Sequence, residues 1–64
     1  MEKITITCTR NNRTKDADVL LKTDKHLKVA LEGTQITIEM HRDDLNKPYT
    51  GHTAGLEFVW QPKN

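Results

Sequence analysis

The stretch HLKVALEGTQITIEMH, His26–His41, decides how this chain folds. Leu27, Val29 and Leu31 alternate with Lys28 and Ala30. After a break, Ile36, Ile38 and Met40 alternate with Thr37, Glu39 and His41. Side chains of a strand point to opposite faces in turn, so a period of two reads as a half-buried strand. Two such runs flank Glu32-Gly33-Thr34-Gln35. Glycine at the first central position of a two-residue loop marks a type II′ hairpin turn, here Gly33-Thr34. That turn sets Leu31 opposite Ile36, Val29 opposite Ile38 and Leu27 opposite Met40. A slip of one residue would send every one of these side chains to the wrong face, so turn and pattern specify one register.

The same alternation recurs outside the hairpin. From about Lys3 to Arg10, Ile4, Ile6 and Cys8 share a face opposite Thr5, Thr7 and Thr9, and β-branched threonines suit the exposed side of a strand. From about Ala17 to Thr23, Val19 and Leu21 share a face while Leu20 turns the other way. The run from about Leu56 to Gln61 groups Leu56, Phe58 and Trp60. Arg10 to Asp16, polar and carrying Asn11-Asn12, reads as the first loop, and residues 43–55 read as one long connection. Asp43-Asp44 ahead of Leu45 allows at most one short helical turn near 43–46, closed by Pro48. The expectation is one all-β domain over residues 1–64: a five-stranded, mostly antiparallel meander forming a small barrel, or a curled sheet that dimerises.

Size and composition narrow the rest. A chain of 64 residues buries little of its surface and is marginal alone. No segment has a helical apolar period that could cover the sheet, so the apolar face needs closure or a partner. This favours a homodimer. Cys8 is the single cysteine, which rules out a disulfide within one chain. With no signal-like apolar run at the start, this suggests a reducing, cytoplasmic setting. No stretch approaches the roughly 20 apolar residues of a membrane helix, so no membrane partner is expected. Ten basic and nine acidic residues give a net charge of +1. A dedicated duplex binder shows a larger basic excess.

Motifs for chemistry are missing. No nucleophile elbow, phosphate loop or dinucleotide fingerprint occurs. His26, His41 and His52 are 15 and 11 residues apart, unlike zinc-ligand spacings. Cys8, between apolar neighbours, reads as a small core hydrophobe. Catalytic residues, cofactors, metal and a small-molecule substrate are therefore not expected. The favoured reading is a non-catalytic, β-rich interaction or assembly module acting as a homodimer. The alternative is a single-strand nucleic-acid binder, in which Arg10, Arg13, Lys15 and Lys47 meet phosphates and an exposed Tyr49 stacks on bases. The long connection adds His52 to the candidate contacts, because loops on rigid scaffolds carry function disproportionately. Packing of Tyr49 against the sheet is the structural counterpart of that reading.

Overall fold

The computed structural model describes residues 2–62, which form a closed barrel of six antiparallel strands in simple sequence order. They are β1 (Lys3–Cys8), β2 (Arg13–Lys22), β3 (His26–Leu31), β4 (Thr37–His41), β5 (Tyr49–Thr53) and β6 (Leu56–Trp60). Each strand pairs with the next, and β6 returns to β1. The described residues contain no helix, so none is long and apolar enough to cross a membrane. The meander puts the 9–12, 32–36 and 54–55 connections at one end, here the upper, and the 23–25 and 42–48 connections at the lower end.

The central hairpin has the expected register: Leu27 opposes Met40 and Val29 opposes Ile38, all four fully buried. Its turn is different. The Leu31 N–H donates to the Ile36 carbonyl at 2.9 Å, and inside that bond Thr34 N–H donates to the Leu31 carbonyl at 3.2 Å. Gly33 is thus third in a Leu31–Thr34 turn, where its φ of 77° is tolerated for want of a Cβ. Ile36 lies beyond the mouth of the barrel and is exposed, so the Leu31–Ile36 pair adds little to the core.

Three other expectations are corrected. The first loop is shorter than its composition suggests. Arg13 N–H donates to the Asn11 side chain at 3.0 Å and Asn12 takes a left-handed φ of 56°, a tight turn that leaves Arg13 to Asp16 free to pair with β1. Leu21 is exposed rather than inward: a β-bulge between Val19 and Leu21 reverses the parity, so Leu21 opposes the outward Lys28.

The largest correction is the sixth strand, β5, inside residues 43–55. Its inward positions are Tyr49 and Gly51, so it has no apolar alternation to read. Glycine is required there by proximity: a Cβ on Gly51 would come within 2.7 Å of the Glu39 carbonyl oxygen and of Met40 Cγ. The β5–β6 connection is the two-residue turn Ala54-Gly55, both with positive φ (51° and 76°), the pattern of a type I′ hairpin. Residues 43–46 contain no helical turn of their own. Lys47 N–H closes a β-turn onto the Asp44 carbonyl at 3.1 Å, and the Asp44 carboxylate accepts from Asn46 N–H at 3.0 Å.

Ile4, Ile6, Cys8, Ala17, Leu27, Val29, Ile38, Met40, Tyr49 and Phe58 are the buried core; Val19, Leu31, Leu56 and Trp60 close its ends. Barrel closure covers the apolar face within one chain. The need for cover that favoured a dimer is therefore met internally.

Candidate functional site

Two contacts of the barrel are short: β4–β5 pairs only Met40–Gly51 and His41–Thr50, and β1–β6 is the other. β1 pairs with β2 over its whole length, from Lys3–Asp18 to Cys8–Arg13. With β6 it pairs only at Thr7–Val59 and Cys8–Phe58, extended by Thr9 N–H to the Glu57 carbonyl at 3.0 Å. Backbone groups of an antiparallel strand alternate between its two neighbours. The Val19 N–H bond to the Glu2 carbonyl places residues 2, 4, 6 and 8 toward β2, so Lys3, Thr5, Thr7 and Thr9 face β6. In that register Thr5 would meet Gln61, but Gln61 and Pro62 leave the sheet. Among the described residues, the N–H and C=O of Lys3 and Thr5 have no strand beside them on this side.

An open groove of about 790 Å³ occupies this seam, with Ile4 and Trp60 as its apolar surfaces and Lys22 and Pro48 at its rim. Trp60 is half-buried. One side stacks on Tyr49, with ring centroids 5.8 Å apart, and the Lys22 ammonium sits 5.3 Å from the indole centroid. Tyr49 holds the arrangement from within. Its hydroxyl donates to the Thr23 carbonyl and lies 3.2 Å from that of Asp24. Arg42 caps the ring at 4.3 Å while its Nε donates to the Asp24 carbonyl at 2.6 Å and its Nη1 to the Leu45 carbonyl at 3.1 Å. One guanidinium thereby joins the two lower connections and sets its charge against carbonyl dipoles and a π face. The indole is presented by a rigid floor.

The six residues singled out in the sequence do not form one site. Tyr49, expected to be an exposed stacker, is 1% exposed, because it starts β5 on the inner face and fills the lower end of the core. The exposed Lys47 is also at the lower end. Arg10, Arg13 and Lys15 are on the upper arm formed where the β1–β2 hairpin runs past the end of β3, and all three are exposed. Lys3, Lys22 and His52 make the ion pairs of the described residues, so these three cations have none. His52, in the upper half of β5, has its Nε2 3.3 Å from Glu57 Oε2, and the other Glu57 oxygen accepts from Thr9 Oγ1 at 2.9 Å. Strands of about five residues separate the two groups by roughly 17 Å.

Trp60 is the residue that sequence parity assigned wholly to the core. The signal available was its place at the end of the last alternating run, just before Gln61-Pro62, where a strand frays and its inner face opens. The chain matches no family model, and no curated protein or solved structure is significantly similar to it.

Proposed function

We propose that the barrel is a non-catalytic interaction module that takes an extended segment of another protein into the seam beside β1. The observation that carries this is that, among the described residues, Lys3 and Thr5 have no strand beside them on the β6 side of β1, next to a half-exposed indole. Strand addition supplies main-chain hydrogen bonds, and a neighbouring pocket supplies side-chain selectivity. Two residues facing the seam offer two N–H and two C=O groups, each worth about 1 kcal/mol when paired. Covering Trp60 adds about 2 kcal/mol. Set against the freedom lost on association, gains of this size support only a weak, exchangeable complex.

The same backbone groups could also serve a second copy of the chain. In a two-fold β1–β1 pairing centred on Ile4, Lys3 of each copy would face Thr5 of the other, engaging the same four backbone groups. Homodimerisation through this edge is the competing occupancy.

Selection from a displayed library of short random peptides, followed by amide chemical-shift mapping, tests the proposal. Selected peptides should shift the Lys3–Ile6 amides and the Trp60 indole. Thr5→Pro, which deletes an N–H that the barrel does not use, should abolish binding while the fold survives. Shifts confined to other surfaces would refute it. Light scattering across the micromolar range reads the competing case: a dimer mass that Thr5→Pro converts to monomer assigns the seam to a second copy.

A second reading rests on a separate observation, the three cations of the upper arm that make no ion pair among the described residues. They support contact with a single-stranded nucleic acid through its phosphates, without the aromatic stacking expected of Tyr49. Three such contacts predict roughly 20-fold weaker binding of a fluorescent oligo(dT) between 50 and 200 mM salt. Arg10→Ala with Arg13→Ala should remove it, and salt-insensitive binding would exclude phosphate contact.

A further inference from the structure

We propose that His26 and His41, fifteen residues apart in sequence, form a two-histidine binding site for a late first-row divalent metal ion such as Ni²⁺, Cu²⁺ or Zn²⁺. The strand register sets them directly opposite each other on β3 and β4. Their place in the ladder follows from the bonds at its two ends. Leu31 N–H to Ile36 O and Arg42 N–H to Lys25 O, both 2.9 Å, mark the hydrogen-bonded pairs. His26–His41 falls between such positions and is a non-hydrogen-bonded pair, the kind whose Cα atoms approach to about 4.5 Å. The next residues along each strand, Leu27 and Met40, are fully buried, so both histidines belong to the outer face, and both are exposed. Two imidazoles at that separation can each bring one nitrogen to the roughly 2.0–2.1 Å that these metals require.

The backbone under the pair is fixed. His26 N–H donates to Thr23 Oγ1 at 3.0 Å, and Thr23 N–H returns a bond to the His26 carbonyl at 2.8 Å. On the other strand, Arg42 is held by its backbone bond to Lys25 and by its guanidinium contacts. Ligands on rigid strands lose little freedom on binding. The local charge also suits a cation. Asp24 lies two residues before His26, and Glu39 and Asp43 lie two residues to either side of His41. Lys25 and Lys28 oppose them, while the Arg42 guanidinium is turned onto carbonyls and the Tyr49 ring. Among the described residues no three His, Cys, Asp or Glu side chains converge, so the two imidazoles act as a pair and water fills the other positions. Imidazole ligation and the usual affinity order place Cu²⁺ ahead of Ni²⁺ and Zn²⁺, with hard cations such as Mg²⁺ excluded.

Titration of the full chain with NiCl₂ at pH 7.5, followed by amide NMR and calorimetry, decides this. Paramagnetic broadening should appear first at Thr23–Leu27 and Met40–Arg42. His26→Ala and His41→Ala should each weaken binding tenfold or more, while His52→Ala, on β5 beside Glu57, changes it less than twofold. Both histidines are exposed, so circular dichroism should show the variants folded. Broadening centred on His52, or unchanged affinity in either single variant, would overturn the assignment.

Discussion

The β3–β4 hairpin and the β1–β6 seam are both antiparallel contacts of the same barrel, yet one is complete and the other half open. The hairpin pairs five residues on each strand, from His26–His41 to Ala30–Thr37. The seam pairs two. In the hairpin the strands are joined by a short turn, so the entropy of bringing them together is small and the side-chain pattern can fix every pair. At the seam, closure joins strands some fifty residues apart in sequence, and their meeting depends on the curvature accumulated by all five intervening pairings. The short β3–β4 turn yields a finished surface, whereas β4–β5, joined by the longer 42–48 connection, pairs only Met40–Gly51 and His41–Thr50. Closure by accumulated curvature leaves backbone groups and one aromatic ring unspent, which is where a partner can add.

The largest test of this contrast is in the hairpin. Ile38→Ala should lower stability by about 3–4 kcal/mol, the usual loss for a fully buried aliphatic, as read from a denaturant midpoint. For so small a domain that approaches the whole stability. If the variant unfolds in two steps, with β1–β2 signals persisting, the hairpin is not the organising half of the barrel. Gly51→Ala comes next. Its new methyl would sit 2.7 Å from the Glu39 backbone oxygen, forcing β4 and β5 apart at a cost of about 2–3 kcal/mol. An unchanged midpoint would show that the β4–β5 contact is already as loose as the seam.

Tyr49→Phe acts at the lower end, where the seam borders the anchored floor. It removes a hydroxyl and strips a partner from the Thr23 carbonyl, for a loss of about 1–2 kcal/mol. Trp60 fluorescence should shift with it, since the two rings stack; an unmoved spectrum would uncouple the indole from that floor. The smallest effect is the exposed Lys3–Glu32 pair, 2.6 Å apart. A hydrogen bond and charge attraction from Glu32 raise the Lys3 pKa above its ordinary 10.5. A raised folded-state pKa gives a contribution that is full below 10.5 and lost as pH climbs through the folded value. Glu32→Gln should therefore lower stability slightly at neutral pH, where the contribution is full, and remove the fall in stability above pH 10.5, so that the two profiles converge there. A slope difference near neutrality would mean the pair does more than hold a surface lysine over β2.

Legibility in the sequence follows the same division. The hairpin register was readable because Leu27, Val29, Ile38 and Met40 alternate around a glycine turn. β5 was not, because Gly51 occupies an inward position for a reason that exists only once β4 lies against it. Leu21 reads as core by parity and becomes surface through a bulge that no local pattern announces. Of the candidate contacts, Arg10, Arg13 and Lys15 were legible as a basic group, while Tyr49 looked exposed because its stretch resembled a loop. The Trp60 groove and the His26–His41 pair were both hidden, since each depends on which strands become neighbours.

The sequence alone determined an all-β chain, the faces of its regular strands and the register of its central hairpin, since each follows from side-chain period and turn chemistry between near neighbours. Only the tertiary structure decided that the sheet closes, that a sixth strand threads through a stretch without apolar alternation, and that closure stops short beside Thr5. Those outcomes depend on curvature and contact between segments far apart in the chain, which a period of two does not encode.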